Sequence, residues 1–171
     1  MAEQISLPSG ASERYVLLHN AALAFIAAQA QDPSHPMRMN IERLAALLAP
    51  DYRHSWGHNY ATSFHPHLQG THPFQYFTKS LEFMLPNLES WDPTITDILV
   101  DEVKRTVMLR VSMQMRIKGS GNVEEREVEN DMLWRLEMDG EGKIVKGTEF
   151  VDGVAAGRIM AIMGEQGNKV G

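Results

Sequence analysis

The segment RTVMLRVSMQMRIK, from Arg105 to Lys118, decides the fold because apolar and polar residues alternate along its whole length. Successive side chains of a strand point to opposite faces of the sheet, so a period of two indicates a strand with one buried face. Arg110, Gln114 and Arg116 lie on the predicted solvent face. A long strand of this kind predicts an antiparallel sheet with one covered face. The predicted buried face consists of Val107, Leu109, Val111, Met113, Met115 and Ile117.

The same period continues towards the carboxyl end of the chain. Residues 94–103 predict a strand before the decisive segment. Asp139-Gly140-Glu141-Gly142 predicts a hairpin turn, and Lys143 to Asp152 returns as the last strand. Short turns between successive strands predict a meander. The strand before this hairpin has one largely apolar face, made of Val128, Asn130, Met132, Trp134, Leu136 and Met138.

The first half of the chain, up to about residue 91, has the period of helices instead. Ser12 is a predicted N-cap, and the apolar stripe behind it extends to about Gln31. Asn40 predicts the start of a second helix over residues 41–48, and Pro73 predicts the start of a third. Two shorter elements complete the pattern: a strand over residues 52–56 and a final helix over residues 154–163.

Helices followed by a run of antiparallel strands predict an α+β fold, in which the N-terminal helices pack on one face of the sheet. A strongly bent sheet wrapped over a long helix leaves a conical space that short helices do not fill. A ligand is expected to bind in that space. The length of 171 residues favours a single domain, 1–171, with a core over about residues 12–152.

The composition excludes several classes of function. The net charge is −6 and no basic stripe is present, so no nucleic-acid partner is expected, because phosphate contact needs clustered Lys and Arg. The lack of cysteine excludes disulfides and thiolate metal sites. No apolar run approaches the roughly 18 residues of a membrane-spanning helix. No basic segment followed by an apolar stretch opens the sequence. We therefore expect a cytoplasmic protein without a membrane partner.

Glu149 is the predicted proton carrier, because of the register of the last hairpin. If residues 139–142 form the turn, Trp134 faces Gly147, which gives the large indole a small partner. The same register makes Met132 face Glu149 and puts the carboxyl group on the cavity face. Loss of water raises the pKa of a carboxyl group, so that it can carry a proton near neutral pH. A slip of one residue would turn Glu149 to solvent, as an ordinary surface carboxylate or the partner of a Lys or Arg.

His54 and Asn130 are the other predicted catalytic residues. His54 lies between Tyr52 and Trp56 in strand phase, so all three share one face and His54 can partner Glu149. The alternative for His54 is a core histidine that donates to the backbone. Asn130 is polar on an apolar face, so it can orient a ligand carbonyl or position Glu149. The alternative for Asn130 is an amide satisfied by neighbouring backbone.

The expected substrate-binding residues surround these groups. Methionine fills irregular apolar space and tolerates bulky ligands, although plain core packing is the alternative for these methionines. His65 and His67 have the spacing of metal ligands on one strand face, but Pro66 between them indicates an exposed loop. No metal is therefore expected, and without a glycine-rich phosphate loop no nucleotide cofactor is expected either. The predicted substrate-binding set is Tyr52, Trp56, Trp134, Met132, Met113, His65 and Tyr76.

Three short stretches carry a family resemblance: residues 129–134 (ENDMLW), 139–145 (DGEGKIV) and 149–152 (EFVD). Together they resemble the pattern N-E-Y-x-W, D-x-x-G-K-I, E-F-x-D of the SnoaL-like family in the NTF2-like superfamily, in the branch found in fungal specialised metabolism. Asp131 and Met132 depart from it, where Glu and Tyr are common. The resemblance implies an α+β cone with an internal cavity and a homodimer.

The resemblance does not assign a reaction, because relatives of this kind include cyclases, isomerases, dehydratases and epoxide hydrolases. Others only bind a ligand or hold an oligomer together. Together with the residues above, it implies a cofactor-free enzyme that acts on a small hydrophobic substrate, a polyketide or terpenoid intermediate. Glu149 and His54 are the expected acid and base. The competing hypothesis is a ligand-binding or oligomerisation module without catalysis.

Overall fold

The computed structural model of the chain describes residues 5–120 and 122–167. Its helices are α1 (Glu13–Ala27), α2 (Ile41–Ala45), α3 (Asn59–Ser63), α4 (Phe74–Met84) and α5 (Gly153–Gly167). Its strands are β1 (Leu48–Trp56), β2 (His72–Pro73), β3 (Leu88–Asp101), β4 (Thr106–Ile117), β5 (Glu127–Met138) and β6 (Ile144–Phe150). Short 3₁₀ turns cover Pro66–Leu68, Leu85–Asn87 and Glu124–Arg126.

The strands form one open sheet in the order β2-β1-β6-β5-β4-β3. Strands β3 to β6 form the expected antiparallel meander, whereas β1 pairs with β6 in parallel. Register shifts within β1, β3 and the β5–β6 pair mark bulges, which bend and twist a strand. The α+β fold with a bent sheet is therefore confirmed, and its sheet is mixed rather than wholly antiparallel.

The predicted starts of α1 and α2 are confirmed by side-chain caps, whereas α4 begins at Phe74, directly after Pro73, without one. The Ser12 side chain accepts a hydrogen bond from the N–H of Tyr15 at 3.0 Å, and the Asn40 side chain accepts one from the N–H of Arg43 at 2.8 Å. Both helices end earlier than predicted. Helix α2 stops at residue 45 because the chain turns into β1, which begins at Leu48 rather than at residue 52.

Two prolines explain why the first residues of strands β1 and β3 were left out of the prediction. Pro50 lies where the β1 register shifts, and Pro93 lies in β3 at the edge of the sheet. Proline lacks an N–H group, so within sheets it is tolerated at edges and bulges. Strand β3 starts at Leu88, six residues before the predicted start, and buries Leu88 and Trp91.

The core lies between the concave face of the sheet and the helices. The predicted apolar face of β4 is buried throughout, opposite Leu18, Ala22 and Phe25 of α1. The other face of β4 carries Arg110, whose guanidinium donates to both carboxylate oxygens of Asp131 at 3.0 Å. Helix α5 begins one residue before its predicted start and extends beyond its predicted end. No helix among the described residues has the length and apolar character needed to cross a membrane.

Candidate active site

The β5–β6 hairpin brings Glu149 to the concave face, but in a register different from the predicted one. Glu149 pairs with Trp134, not with Met132. The Asp139 side chain accepts the N–H groups of Glu141 and Lys143, both at 2.9 Å, and this closes a loop over residues 139–143. The loop is one residue longer than predicted, which by itself would turn Glu149 away from the core.

A bulge in β6 reverses that effect. Met138 pairs with Ile144, whereas Glu137 pairs with Lys146, so one extra residue enters the ladder at Val145. The longer loop and the bulge shift the register by two residues in total. Because side chains alternate with a period of two, the predicted face of Glu149 is preserved.

Gly147 is required for a reason that differs from the predicted one. It pairs with Leu136 rather than with Trp134. A Cβ atom on Gly147 would lie 2.4 Å from the hydroxyl oxygen of Tyr52 and 3.4 Å from Cζ3 of Trp134. The absent side chain therefore makes room mainly for the Tyr52 hydroxyl, with the indole second.

His54 lies directly behind Glu149. Its Nε2 is 3.6 Å from Oε2 of Glu149, the His54 side chain is fully buried, and that of Glu149 is 14% exposed. The other ring nitrogen, Nδ1, lies 3.2 Å from the hydroxyl of Tyr52. The contact with Glu149 is slightly longer than a hydrogen bond, as is common in sites without substrate. The two residues predicted to act together are thus neighbours.

Aromatic rings hold the His54 imidazole in place. Its ring centroid is 4.4 Å from that of Trp56, 4.6 Å from that of Phe77 and 5.7 Å from that of Trp134. His54 Nε2 has no hydrogen-bond partner among the described residues. The alternative of a core histidine that donates to the backbone therefore does not describe His54, whose polar neighbours are Tyr52 and Glu149.

A cavity of about 260 Å³ opens in front of Glu149, between the concave face of the sheet and helices α4 and α5. Three aromatic residues, Trp56, Phe77 and Trp91, form part of its wall. Among the described residues that line it, Glu149 has the one ionisable side chain. The cavity wall is therefore mostly apolar, with three neutral polar residues and a single acidic group. The remaining wall is rich in methionine, with Met39, Met84, Met113, Met115, Met132 and Met160.

Asn130 has the backbone contact that was predicted as its alternative role, at a position on the cavity wall. It is 6% exposed and lines the cavity, and its Oδ1 accepts the backbone N–H of Asp152 at 3.1 Å. The amide oxygen is thus satisfied by backbone, which leaves the NH₂ group as the donor for a ligand. Asp152 itself caps α5, because its carboxylate accepts the N–H groups of Val154 and Ala155.

The structure divides the predicted substrate-binding set into three groups. Trp56, Met113 and Met132 line the cavity. Tyr52 and Trp134 do not; they are buried behind it, in contact with His54. His54 likewise reaches a ligand only through Glu149, because its own side chain is enclosed.

His65 and Tyr76 do not line the cavity, although the Tyr76 ring packs on that of Trp56. Pro66 starts a 3₁₀ turn, and His65 is exposed beside His67. The Tyr76 hydroxyl donates to the carbonyl of His67 at 2.8 Å, and its ring stacks on His72. Within residues 5–120 and 122–167, no group of three or more His, Cys, Asp or Glu side chains is placed to hold a metal ion.

Helix α5 contributes wall residues that the sequence analysis missed. Ile159 and Met160 line the cavity, and so does Gln29, which follows α1. Ala155, Ile159 and Ile162 are buried and recur at helical spacing, which was the available signal. Gln29 had no such signal, because it lies beyond the end of its helix.

No protein-family model matches the sequence, and no curated protein is significantly similar to it. Solved structures do match. PrhC from Penicillium brasilianum superposes with a TM-score of 0.71 at 16% identity, over 90% of this chain and 92% of that one. BvnE pinacolase from Penicillium brevicompactum has a TM-score of 0.65 at 11% identity, over 91% and 98%.

An NTF2-like protein of unknown function from Burkholderia pseudomallei has a TM-score of 0.61 at 13% identity, over 84% of this chain and 96% of that one. Identities this low show a shared fold and leave the reaction open. The shared fold agrees with the resemblance carried by residues 129–152. The chain has the NTF2-like fold.

Proposed function

We propose that the chain is a cofactor-free enzyme that moves a proton on a small, apolar substrate, with isomerisation, cyclisation or dehydration as the outcome. One observation carries the proposal: Glu149 is the single ionisable group among the described residues of a mostly apolar cavity wall, and a buried histidine lies behind it. A carboxyl group in this position can take a proton from a substrate carbon or oxygen and return it elsewhere.

Asn130 supplies the second chemical function. Its NH₂ group can donate to a substrate carbonyl and stabilise negative charge that develops on the oxygen when a proton leaves. Acid–base catalysis by one positioned side chain contributes about 10²–10⁴-fold in rate. One donor to a developing oxyanion contributes about 10²–10³-fold. These two groups are sufficient for proton-transfer chemistry.

The substrate class follows from the lining. A carboxylate or phosphate would meet the charge of Glu149, and no Lys or Arg among the described lining residues would offset it. A volume of about 260 Å³ is slightly below the range of roughly 300–1,000 Å³ that is usual for ligand sites. We therefore propose a compact, neutral polyketide or terpenoid intermediate with a hydrogen-bonding oxygen near Glu149.

The comparisons support catalysis without assigning the reaction. BvnE, which shares the fold, is a pinacolase. The competing function is a non-catalytic module that only binds the ligand. The methionine-rich wall supports the binding part of this function, because methionine side chains adapt to the shape of a ligand.

A homodimer is also proposed, and light scattering after size-exclusion chromatography tests it.

Turnover of neutral terpenoid and polyketide ketones by the wild type and by Glu149→Gln separates the two functions. An enzyme loses turnover in Glu149→Gln and keeps its affinity, because the amide has the same shape but cannot take the proton. Glu129→Gln is the matched control, since Glu129 is an exposed residue of the same hairpin and bonds to Ser112 on the outer face. Binding without turnover in all three proteins would identify a module that only binds.

A further inference from the structure

We infer that Tyr52 is a positioning residue that holds His54 in one tautomer, with the ring proton on Nε2 facing Glu149. The three residues form a chain of contacts that leads from the core to the cavity wall. We call this chain, Tyr52–His54–Glu149, the relay. Its role in catalysis rests on the proposed function, whereas its contacts do not.

The hydroxyl of Tyr52 is the donor in the relay. Tyr52 is 5% exposed, and burial, with the charge of Glu149 as a second cause, raises the pKa of its phenol. The phenol therefore keeps its proton at neutral pH and needs an acceptor. Nδ1 of His54, at 3.2 Å, is the acceptor that the described residues provide within hydrogen-bond distance.

The tautomer of His54 follows from that bond. A neutral imidazole has one nitrogen that donates and one that accepts. With Nδ1 accepting from Tyr52, the proton is on Nε2, which points at Oε2 of Glu149 at 3.6 Å. The opposite tautomer would leave the Tyr52 proton without an acceptor and turn the lone pair of Nε2 towards a carboxylate oxygen. Both contacts therefore favour the same tautomer.

Strand pairing builds the relay into the sheet. His54 pairs with Gly147 and Trp56 pairs with Glu149 along the parallel β1–β6 ladder. Gly147 is the position where a Cβ would collide with the Tyr52 hydroxyl at 2.4 Å. The glycine thus leaves space for Tyr52, the first residue of the relay. Glu149, two residues further along β6, is the last residue of the relay. One carboxylate oxygen of Glu149 faces His54 Nε2 at 3.6 Å, and the other remains for the substrate.

Nitrogen NMR of histidine-labelled protein tests the tautomer without any substrate. Long-range ¹H–¹⁵N spectra distinguish a ring protonated on Nε2 from one protonated on Nδ1 or on both nitrogens. We expect the Nε2–H form in the wild type and a mixture of forms in Tyr52→Phe. Tyr60→Phe is the matched control, because Tyr60 is 80% exposed, and it should leave the His54 signals unchanged.

A wild-type ring protonated on Nδ1 or on both nitrogens overturns the inference, and this readout stands even if Tyr52→Phe fails to fold. An Nε2–H population that is undiminished in Tyr52→Phe overturns it as well, because Tyr52 would then add nothing to the preference that the contact with Glu149 creates. With a substrate in hand, Tyr52→Phe should lower kcat about 10–100-fold at unchanged KM, the range found when a partner that fixes the tautomer of a metal-binding histidine is removed.

The two proposals fail in different ways. If no protein turns over any substrate but the tautomer depends on Tyr52, the enzyme is ruled out and the relay remains as a structural feature. If the wild type turns over and Tyr52→Phe has the same kcat, the enzyme stands and the positioning role of Tyr52 is ruled out.

Discussion

At the scale of single residues, Glu149 sets the charge of a cavity whose described walls carry no other ionisable group. A buried carboxylate repels a second carboxylate, since like charges a few ångströms apart interact strongly where water is excluded. The same group can accept a hydrogen bond or a proton from a neutral ligand. Charge selectivity is therefore a property of one side chain, and a single substitution should remove it.

We expect a sesquiterpene ketone to bind at least about tenfold more tightly than the carboxylic acid of the same carbon skeleton, a difference of roughly 1.4 kcal/mol. Isothermal titration at neutral pH measures both dissociation constants. In Glu149→Gln the difference should shrink, because the repulsion is gone. Equal affinities for ketone and acid in the wild type would contradict the proposed substrate class.

Gly147 is the second residue whose role can be tested alone. Gly147→Ala places a Cβ against the Tyr52 hydroxyl, and overpacking of this kind costs about 1–3 kcal/mol. Urea unfolding measures the loss of stability. Gly140→Ala is the matched control, because nothing lies within 4 Å of its Cβ position. Equal stability of the two variants would show that the Tyr52 hydroxyl does not need this space.

At the scale of elements, the outer face of the β4–β5 pair carries the ion pairs expected from its polar residues. Hydrogen bonds from Arg110, with its charge as a further cause, hold the pKa of Asp131 below its usual value of 3.8. A carboxyl group with a lowered pKa stabilises the fold above its unfolded pKa, and this contribution is lost as the pH falls through the folded pKa.

Asp131→Asn should therefore lower stability slightly at pH 7, by the small amount typical of an exposed ion pair. The difference from the wild type should persist down to about pH 4 and disappear at more acidic pH, where Asp131 becomes protonated. Urea unfolding of both proteins across this range measures it. A difference that grows towards acidic pH would contradict the assigned ion pair.

The elements also show what the sequence predicts well. The buried faces of β4 and β5 were predicted correctly, because inward-facing and outward-facing residues alternate without a break along each strand. The local sequence pattern and the burial therefore agree. The first residues of β1 and β3 were missed because Pro50 and Pro93 interrupt that pattern. The parallel pairing of β1 with β6 joins segments about ninety residues apart, and nothing local indicates it.

The candidate site was predictable to the same extent. Glu149 was correctly predicted to face the cavity. The loop and the bulge each shift the strand register by one residue, and a total shift of two residues leaves the side chain on the predicted face. The shared face of Tyr52 and His54 was also predicted correctly, because residues two positions apart on a strand lie on the same face. The position of the Tyr52 hydroxyl beside Gly147 was not predictable, because it depends on the pairing of strands β1 and β6.

At the scale of the whole molecule, the cavity is enclosed by elements from both halves of the chain. The first half provides Trp56 of β1 and Phe77 of α4, whereas the second half provides Met132 and Glu149 of the sheet and Ile159 of α5. A ligand that binds the folded state stabilises it, so occupancy should be visible as a rise in Tm. The cavity is thus a property of the assembled fold rather than of any single motif.

Filling the cavity from α5 should block it while the fold remains. In Ala156→Phe, the added ring should weaken ligand binding by at least about tenfold, which is roughly 1.4 kcal/mol. Titration with the ketone and the ligand-induced rise in Tm are the measurements. Gly157→Ala, where no atom lies within 4 Å of the new Cβ, is the control and should bind as the wild type does. Unchanged affinity in Ala156→Phe would place the ligand elsewhere.

The most direct test of proton transfer by Glu149 is solvent deuterium incorporation into an enolisable ketone, followed by mass spectrometry. The wild type should introduce deuterium next to the carbonyl. In Glu149→Gln the rate should fall by at least about 10²-fold, the lower range for loss of one acid–base group, while the ketone binds with nearly unchanged affinity. Exchange in Glu149→Gln at the wild-type rate would contradict the account.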